Sequence, residues 1–226
     1  AKKAASYLSE ELNTRVDIAS LYIRPFKSIV LDSLYIEDLQ KDTLLFTQKF
    51  SVNISYLSLR NSKIIIKDVQ LDNGKFFLKK YKDSTSNLSY ILNYFKSSKA
   101  KKKKTSEPYD LVFNKIILND IDFRYKNYNY DQSIKGVNFN DIHLSKLNST
   151  ILDLDTKSHL LKAGIRNLSF REKSGFILKN LSTDALIDTN QMEFKKLFLE
   201  TNNSKIGDYF FMKYSSFKDF GQFISK

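Results

Sequence analysis

The chain has 226 residues, 42% hydrophobic and 27% charged, which excludes a disordered composition and leaves room for one or two domains with a sizeable core. The formal net charge is +12, yet only six of the 37 basic residues are Arg, the side chain suited to bidentate phosphate and base contacts, so a Lys-rich solvated surface is favoured over a polyanion site. The absence of Cys excludes disulfides, Cys-ligated zinc and a Cys nucleophile, and no apolar run approaches the ~18 residues of a membrane span.

In chain order, "AKKAASYLSEELN" (1–13) places Ala5, Leu8 and Leu12 at helical spacing and predicts an end cap packed on the first strands. With no initiator Met and no signal peptide, this start reads as a mature or excised segment. Strands follow, as expected from 18 Phe and 13 Tyr. With only 6 Gly and 2 Pro, turns fall to Asn and Asp. The strands share one pattern: apolar, x, apolar, two polar, apolar, x, apolar. It first appears as Ile29, Leu31, Leu34 and Ile36 around Asp32-Ser33, then as Ile64, Ile66, Val69 and Leu71 around Lys67-Asp68.

"NLSYILNYFKSS" (87–98) predicts a second helix, with Asn87 as N-cap and Leu88, Ile91, Leu92 and Phe95 on one face. "KSSKAKKKKTSEP" (96–108) is polar and charged and reads as a loop. It separates 1–95 from 109–226. Both halves carry the same pattern, so it reads as an insertion into one continuous sheet.

Beyond the loop the pattern recurs. Ile116, Leu118, Ile121 and Phe123 flank Asn119-Asp120, and Val137, Phe139, Ile142 and Leu144 flank Asn140-Asp141. Ala163, Ile165, Leu168 and Phe170 flank Arg166-Asn167, and Met192, Phe194, Leu197 and Leu199 flank Lys195-Lys196. A weaker copy surrounds Lys179-Asn180. "SSFKDFGQFIS" (215–225) offers a third helical stripe through Phe217, Phe220, Phe223 and Ile224.

In a regular strand Leu118 and Ile121, three residues apart, would face opposite sides. One extra residue at the polar pair restores the facing, so each copy predicts a bulge or sharp bend. Two short strands joined by a turn would fit any single copy. Repeated bends curve a sheet, and a curved sheet with one apolar face is either a closed core or a trough. The expectation is a mainly β fold: an elongated curved sheet of repeated short strands, with a few short helices including an N-terminal one.

Signals for chemistry are sparse. His143 sits at an outward strand position, and His159 has no partner at metal-ligand spacing. No G-x-S-x-G, Walker-type or G-x-G-x-x-G pattern occurs. "LDLDTK" (152–157) lacks the Gly and distal Glu of a calcium loop and reads as a polar connection. "KDTLLF" (41–46) reads as a turn leading into a strand. The inventory argues against an enzyme. No catalytic, metal-binding or cofactor-binding residue is assigned, and no nucleic-acid partner is expected.

Taken together, "EDLQKDTLLF", "NLSYILNYF", "NDIDFRYKN", "KGVNFNDIHLSKLN", "LSFREKSGFILKNLSTDALI" and "LFLETNNSKIGDYFFMKYSSFKDFGQFI" resemble the N-terminal region of TamB-type translocation and assembly module proteins. These belong to the AsmA-like group of diderm bacteria. The resemblance covers nearly the whole chain. It implies a periplasmic β-trough, β-taco-like in form, held to the inner membrane by an N-terminal anchor that this sequence lacks. It also implies transport of phospholipid toward the outer membrane. A further implied partner is an outer-membrane barrel of the insertase family, docked through a C-terminal region likewise absent; scaffolding of barrel assembly is the alternative role. Acyl chains need a continuous apolar lining, worth about 0.8 kcal/mol per buried methylene. The lining is expected from Ile64, Ile66, Val69, Leu71, Ile116, Leu118, Ile121, Phe123, Val137, Phe139, Ile142 and Leu144. Each of these would equally suit a closed core.

Overall fold

The structure, a computed structural model, describes residues 1–24, 28–58, 63–83, 85–97, 110–130, 136–155 and 161–215. Helix α1 (Lys2–Leu12) is followed by strands β1 (Val16–Arg24), β2 (Ser28–Glu37), β3 (Thr43–Ser58) and β4 (Lys63–Lys80). Helix α2 (Ser89–Ser97) comes next. Then follow β5 (Asp110–Asn127), β6 (Asp141–Asp155), β7 (Leu161–Glu172), β8 (Ile177–Ile187), β9 (Gln191–Thr201) and β10 (Lys205–Lys213).

The ten strands form one open sheet in chain order, about 45 Å wide across the strands at ordinary strand spacing. Every neighbouring pair is antiparallel except β4 and β5, which run parallel. That pair spans the segment containing α2 and the Lys-rich run, so both halves of the chain share one sheet. The run 99–104 and the C-terminal stripe beyond residue 215 lie outside the described residues.

Asn and Asp supply three of the turns, whereas Glu172 with Gly175 forms that between β7 and β8 and Thr201 that between β9 and β10. Asp38 Oδ1 accepts from the N–H groups of Gln40 and Asp42, and Asp188 Oδ1 accepts from Asn190 and Gln191. Asn127 Oδ1 accepts from Asn129 N–H. Local side-chain bonds of this kind serve where glycine is scarce, the chain having only 6.

Four of the seven expected bends carry a left-handed residue and form a line. Left-handed, non-glycine residues occur at Ser33, Asp120, Asn167 and Lys196, each the second member of a predicted polar pair. Asn73, Lys146 and Asp208 adopt the same conformation. Strand register sets these positions side by side. Ser33 lies between pairs Asp32–Lys49 and Leu34–Thr47; Asn73 lies between Lys49–Asp72 and Thr47–Gly74; Asp120 lies between Asp72–Asn119 and Gly74–Ile121. The result is a crease across the sheet, from β2 to β10.

Polar side chains repair the ladder at the crease. Asp120 N–H donates to Asn148 Oδ1 at 2.9 Å, and Asn167 N–H donates to Ser182 Oγ at 2.9 Å. Thr47 Oγ1 reaches the carbonyls of Lys49 and Asp72, and Thr183 Oγ1 reaches that of Lys195.

Three predicted bends differ. At Lys67-Asp68 the pairing with β3 shifts opposite Asn53–Ile54 without a left-handed residue. At Lys179-Asn180 a shift separates Leu178 from Asn180. Asn140-Asp141 is not a bend within a strand: residues 137–140 precede β6, which starts at Asp141. β6 bends instead at Lys146, between Leu144 and Leu147, and again at Asp153, where its pairing with β7 shifts between Leu152 and Asp155. Ser149 occupies the inward slot that the pattern requires to be apolar, which hid the copy at Lys146. Residues 152–155, expected in a polar connection, belong to β6.

Both helices pack at the β1 end. Leu12 joins Val16, Ile18 and Leu34 in a buried cluster, with Ala4, Ala5, Leu8, Tyr90, Ile91 and Tyr94 against it. α1 also protects the edge of the sheet: Ser9 Oγ accepts from Val16 N–H at 2.9 Å and donates to Val16 C=O at 3.2 Å. Asn87 does not cap α2, which begins at Ser89 with Leu88 C=O accepting its first bonds. Asn87 is buried instead. Its Oδ1 accepts from Lys79 N–H, and its Nδ2 donates to Phe77 C=O and Asp38 Oδ2. Leu92, expected on the packed face, is exposed.

Candidate functional site

Residues paired across a ladder point to the same face. Following the register, one row reads Ile36, Leu45, Phe76, Phe123, Leu144. The crease row reads Ile18, Leu34, Thr47, Gly74, Ile121, Leu147. Above it run Leu31, Phe50, Leu71 and Leu118, then Val52, Val69, Ile116, Ile151 and Ile165. One face of the sheet is therefore apolar across most of its width.

Burial defines the shape. Ile121 is 4% exposed and Leu147 8%, although the helices pack at the β1 end. Their neighbours Leu118, Phe123 and Leu144 are half-buried. A row is buried between two half-exposed rows when the sheet folds along it. The crease row is the floor of a V-shaped trough, and the flanking rows are its walls. Gly74 makes the fold tight: a Cβ there would lie 2.6 Å from Phe46 O and 3.3 Å from Ile121 Cδ1. Phe76 and Phe123 form a tilted pair on the lower wall, with centroids 5.8 Å apart.

The register gathers Ile66, Val69, Leu71, Ile116, Leu118, Ile121, Phe123, Ile142 and Leu144 on this face. Ile64 lies in β4 beside Leu111, and its side chain is outside the described residues. Val137 and Phe139 are not brought to the wall by a strand. They sit in the loop before β6, and Phe139 is 60% exposed. Sequence reasoning missed Leu45, Phe50, Phe76 and Leu147, whose spacing across the crease gave the only signal.

A polar rim joins the hairpin ends on one side. Asp38 is fully buried there, with Lys79 Nζ 2.9 Å from Oδ2. Burial opposes the Asp38 carboxylate, but the Lys79 ammonium and the hydrogen bonds from Asp42 N–H and Asn87 outweigh it, so its pKa lies below the ordinary value. Burial pushes the Tyr90 phenol up to about 12, with the Asp38 charge adding to it; its hydroxyl donates to Glu37 C=O at 2.6 Å. Further along the rim, Tyr81 stacks on Tyr128. Lys126 and Lys173 both contact Asp141.

His143 lies on the outer face, with Nε2 3.1 Å from Asp122 Oδ2. His159 is outside the described residues. Among the described residues no three His, Cys, Asp or Glu are grouped to hold a metal ion, and no helix is long and apolar enough to cross a membrane. No protein-family model matches the chain, and no curated protein matches it significantly.

Proposed function

We propose that the trough carries phospholipid acyl chains as the periplasmic part of a bridge-like lipid transfer protein anchored in the inner membrane, moving lipid toward the outer membrane. The observation that carries this reading is the contrast over β4–β6 between a buried floor and walls whose Leu71, Phe76, Ile116, Leu118, Phe123 and Leu144 stay partly exposed, Val69 and Ser149 being the buried exceptions. A continuous apolar strip left partly open to solvent suits chains that must slide. Headgroups stay in water along the open side. The lining is spread over many Ile, Leu, Val and Phe side chains, and a sliding ligand calls for no sharp pocket. The resemblance to TamB-type proteins agrees with this role. The test is extraction of the chain purified from membranes and mass spectrometry of what it carries. Co-eluting phospholipid at near-stoichiometric amounts is expected, and its absence would sink the reading.

A second reading, a scaffold for outer-membrane barrel assembly, draws on β10. Among the described residues this strand has a neighbour on one side only, and it exposes Ile206, Tyr209, Phe210 and Phe211. Such an edge can add a further strand. Under this reading, charge reversals on outward faces hurt function more than polar substitutions in the trough.

A further inference from the structure

The apolar rows of the trough run on beneath α1. The cluster that α1 joins includes Ile18 and Leu34 of the floor row, and Leu45 of the row that continues through Phe76 to Phe123. The helix therefore occupies one end of the trough as an occupant supplied by the chain itself.

Several features make α1 weakly held. It spans 11 residues, below the ~12–15 at which an isolated helix becomes even marginal in water. Its charges oppose its dipole. Lys2 and Lys3 stand at its N-terminal end and Glu10 and Glu11 near its C-terminal end, where the reverse signs would stabilise. Ala1 at the N-cap provides no side-chain hydrogen bond. Part of the stripe against the cluster is alanine, at Ala4 and Ala5. Polar ties exist: Ser9 to Val16, and Tyr94 of α2 to Tyr7 and Glu11. α2 is held differently, with Tyr90 bonded to Glu37 C=O and the buried Asn87 just before it bridging β4 and Asp38.

We infer that α1 is a displaceable plug. An acyl chain and the helix compete for the same apolar rows, so a ligand advancing to the β1–β3 end lifts α1 while α2 stays in place. This rests on the acyl-chain reading of the trough and adds a control to it.

The experiment follows binding of cis-parinaric acid, an 18-carbon fluorescent fatty acid, to the whole chain, alongside amide hydrogen exchange by mass spectrometry. In the unmodified chain, saturating probe speeds exchange over 2–12 and leaves 89–97 unchanged. Lys2→Glu with Glu10→Lys preserves the net charge of +12 and the packed stripe while aligning both charges with the dipole. It weakens probe binding about fivefold and slows exchange in α1. Lys3→Gly with Ser6→Gly loosens the helix at exposed positions and tightens binding about tenfold. Equal affinity in all three proteins, with α1 exchange indifferent to the probe, overturns the plug and leaves the acyl-chain reading standing. Failure of even the loosened protein to bind removes the trough reading, and the plug with it.

Discussion

The β1–β3 end and the β4–β6 stretch of the sheet share one sequence pattern and the same apolar rows, yet differ in what lies on them. At the first, α1 and α2 convert the apolar face into a closed core of Leu12, Val16, Ile18 and Leu34. At the second, the sheet buries its own floor by folding and leaves most wall residues, Leu118, Phe123 and Leu144 among them, partly open. The difference teaches that one-faced alternation reports which side a residue faces, not whether anything covers it. Cover is decided by a helix elsewhere in the chain.

The two regions should respond differently to damage. The largest effect is expected where β4 meets the covered end, from Lys79→Met. This leaves Asp38 buried without its cation and costs about 3 kcal/mol, read as a fall in the urea midpoint. Next, Leu34→Ala costs about 3 kcal/mol because its cavity is enclosed. Leu118→Ala, on the open wall, costs about 1 kcal/mol, since solvent already reaches the site. Equal losses at the two positions would erase the distinction between core and trough.

Gly74→Ala tests the crease that both regions share. Relieving the contact with Phe46 O requires the backbone to shift and costs about 1–3 kcal/mol. The smallest mutational effect runs the other way. Lys146→Gly removes the strain of a left-handed side chain at an exposed position and stabilises by about 0.5 kcal/mol, visible in thermal melts.

Acid sharpens the comparison by pH. Asp38 has a lowered pKa in the folded chain, so its contribution is present above its ordinary value of 3.8 and disappears as pH falls through the lower folded value. Denaturation midpoints measured between pH 6 and 2 should therefore fall at the acid end. Asp38→Asn should flatten that part of the profile.

Much of this fold was legible because bends and facings are written locally. A polar pair with a left-handed second residue leaves apolar residues three apart, as at Leu118 and Ile121. Legibility failed where a small or polar residue took an apolar slot. Gly74 and Ser149 hid the bends at Asn73 and Lys146, and the loop residues Val137 and Phe139 mimicked a copy that lies further along β6. Asn87 looked like a cap because its spacing to the helix was right. Its partners on β4, Phe77 and Lys79, lie eight to ten residues back and Asp38 of the β2–β3 turn 49 residues away, and helical periodicity carries no trace of either. The trough was anticipated as one of two options. Choosing between them needed the register of five strands and the exposure of their side chains.

The most direct test of the trough compares Phe123, on its wall, with its neighbour Asp122, on the outer face. A photo-crosslinking amino acid is placed at each position in turn, in the full-length protein in cells. Adducts are identified by mass spectrometry after irradiation. Phospholipid adducts at 123 and none at 122 are the predicted result. Protein-only adducts at 123, or equal lipid labelling at both positions, would contradict an apolar trough that carries lipid.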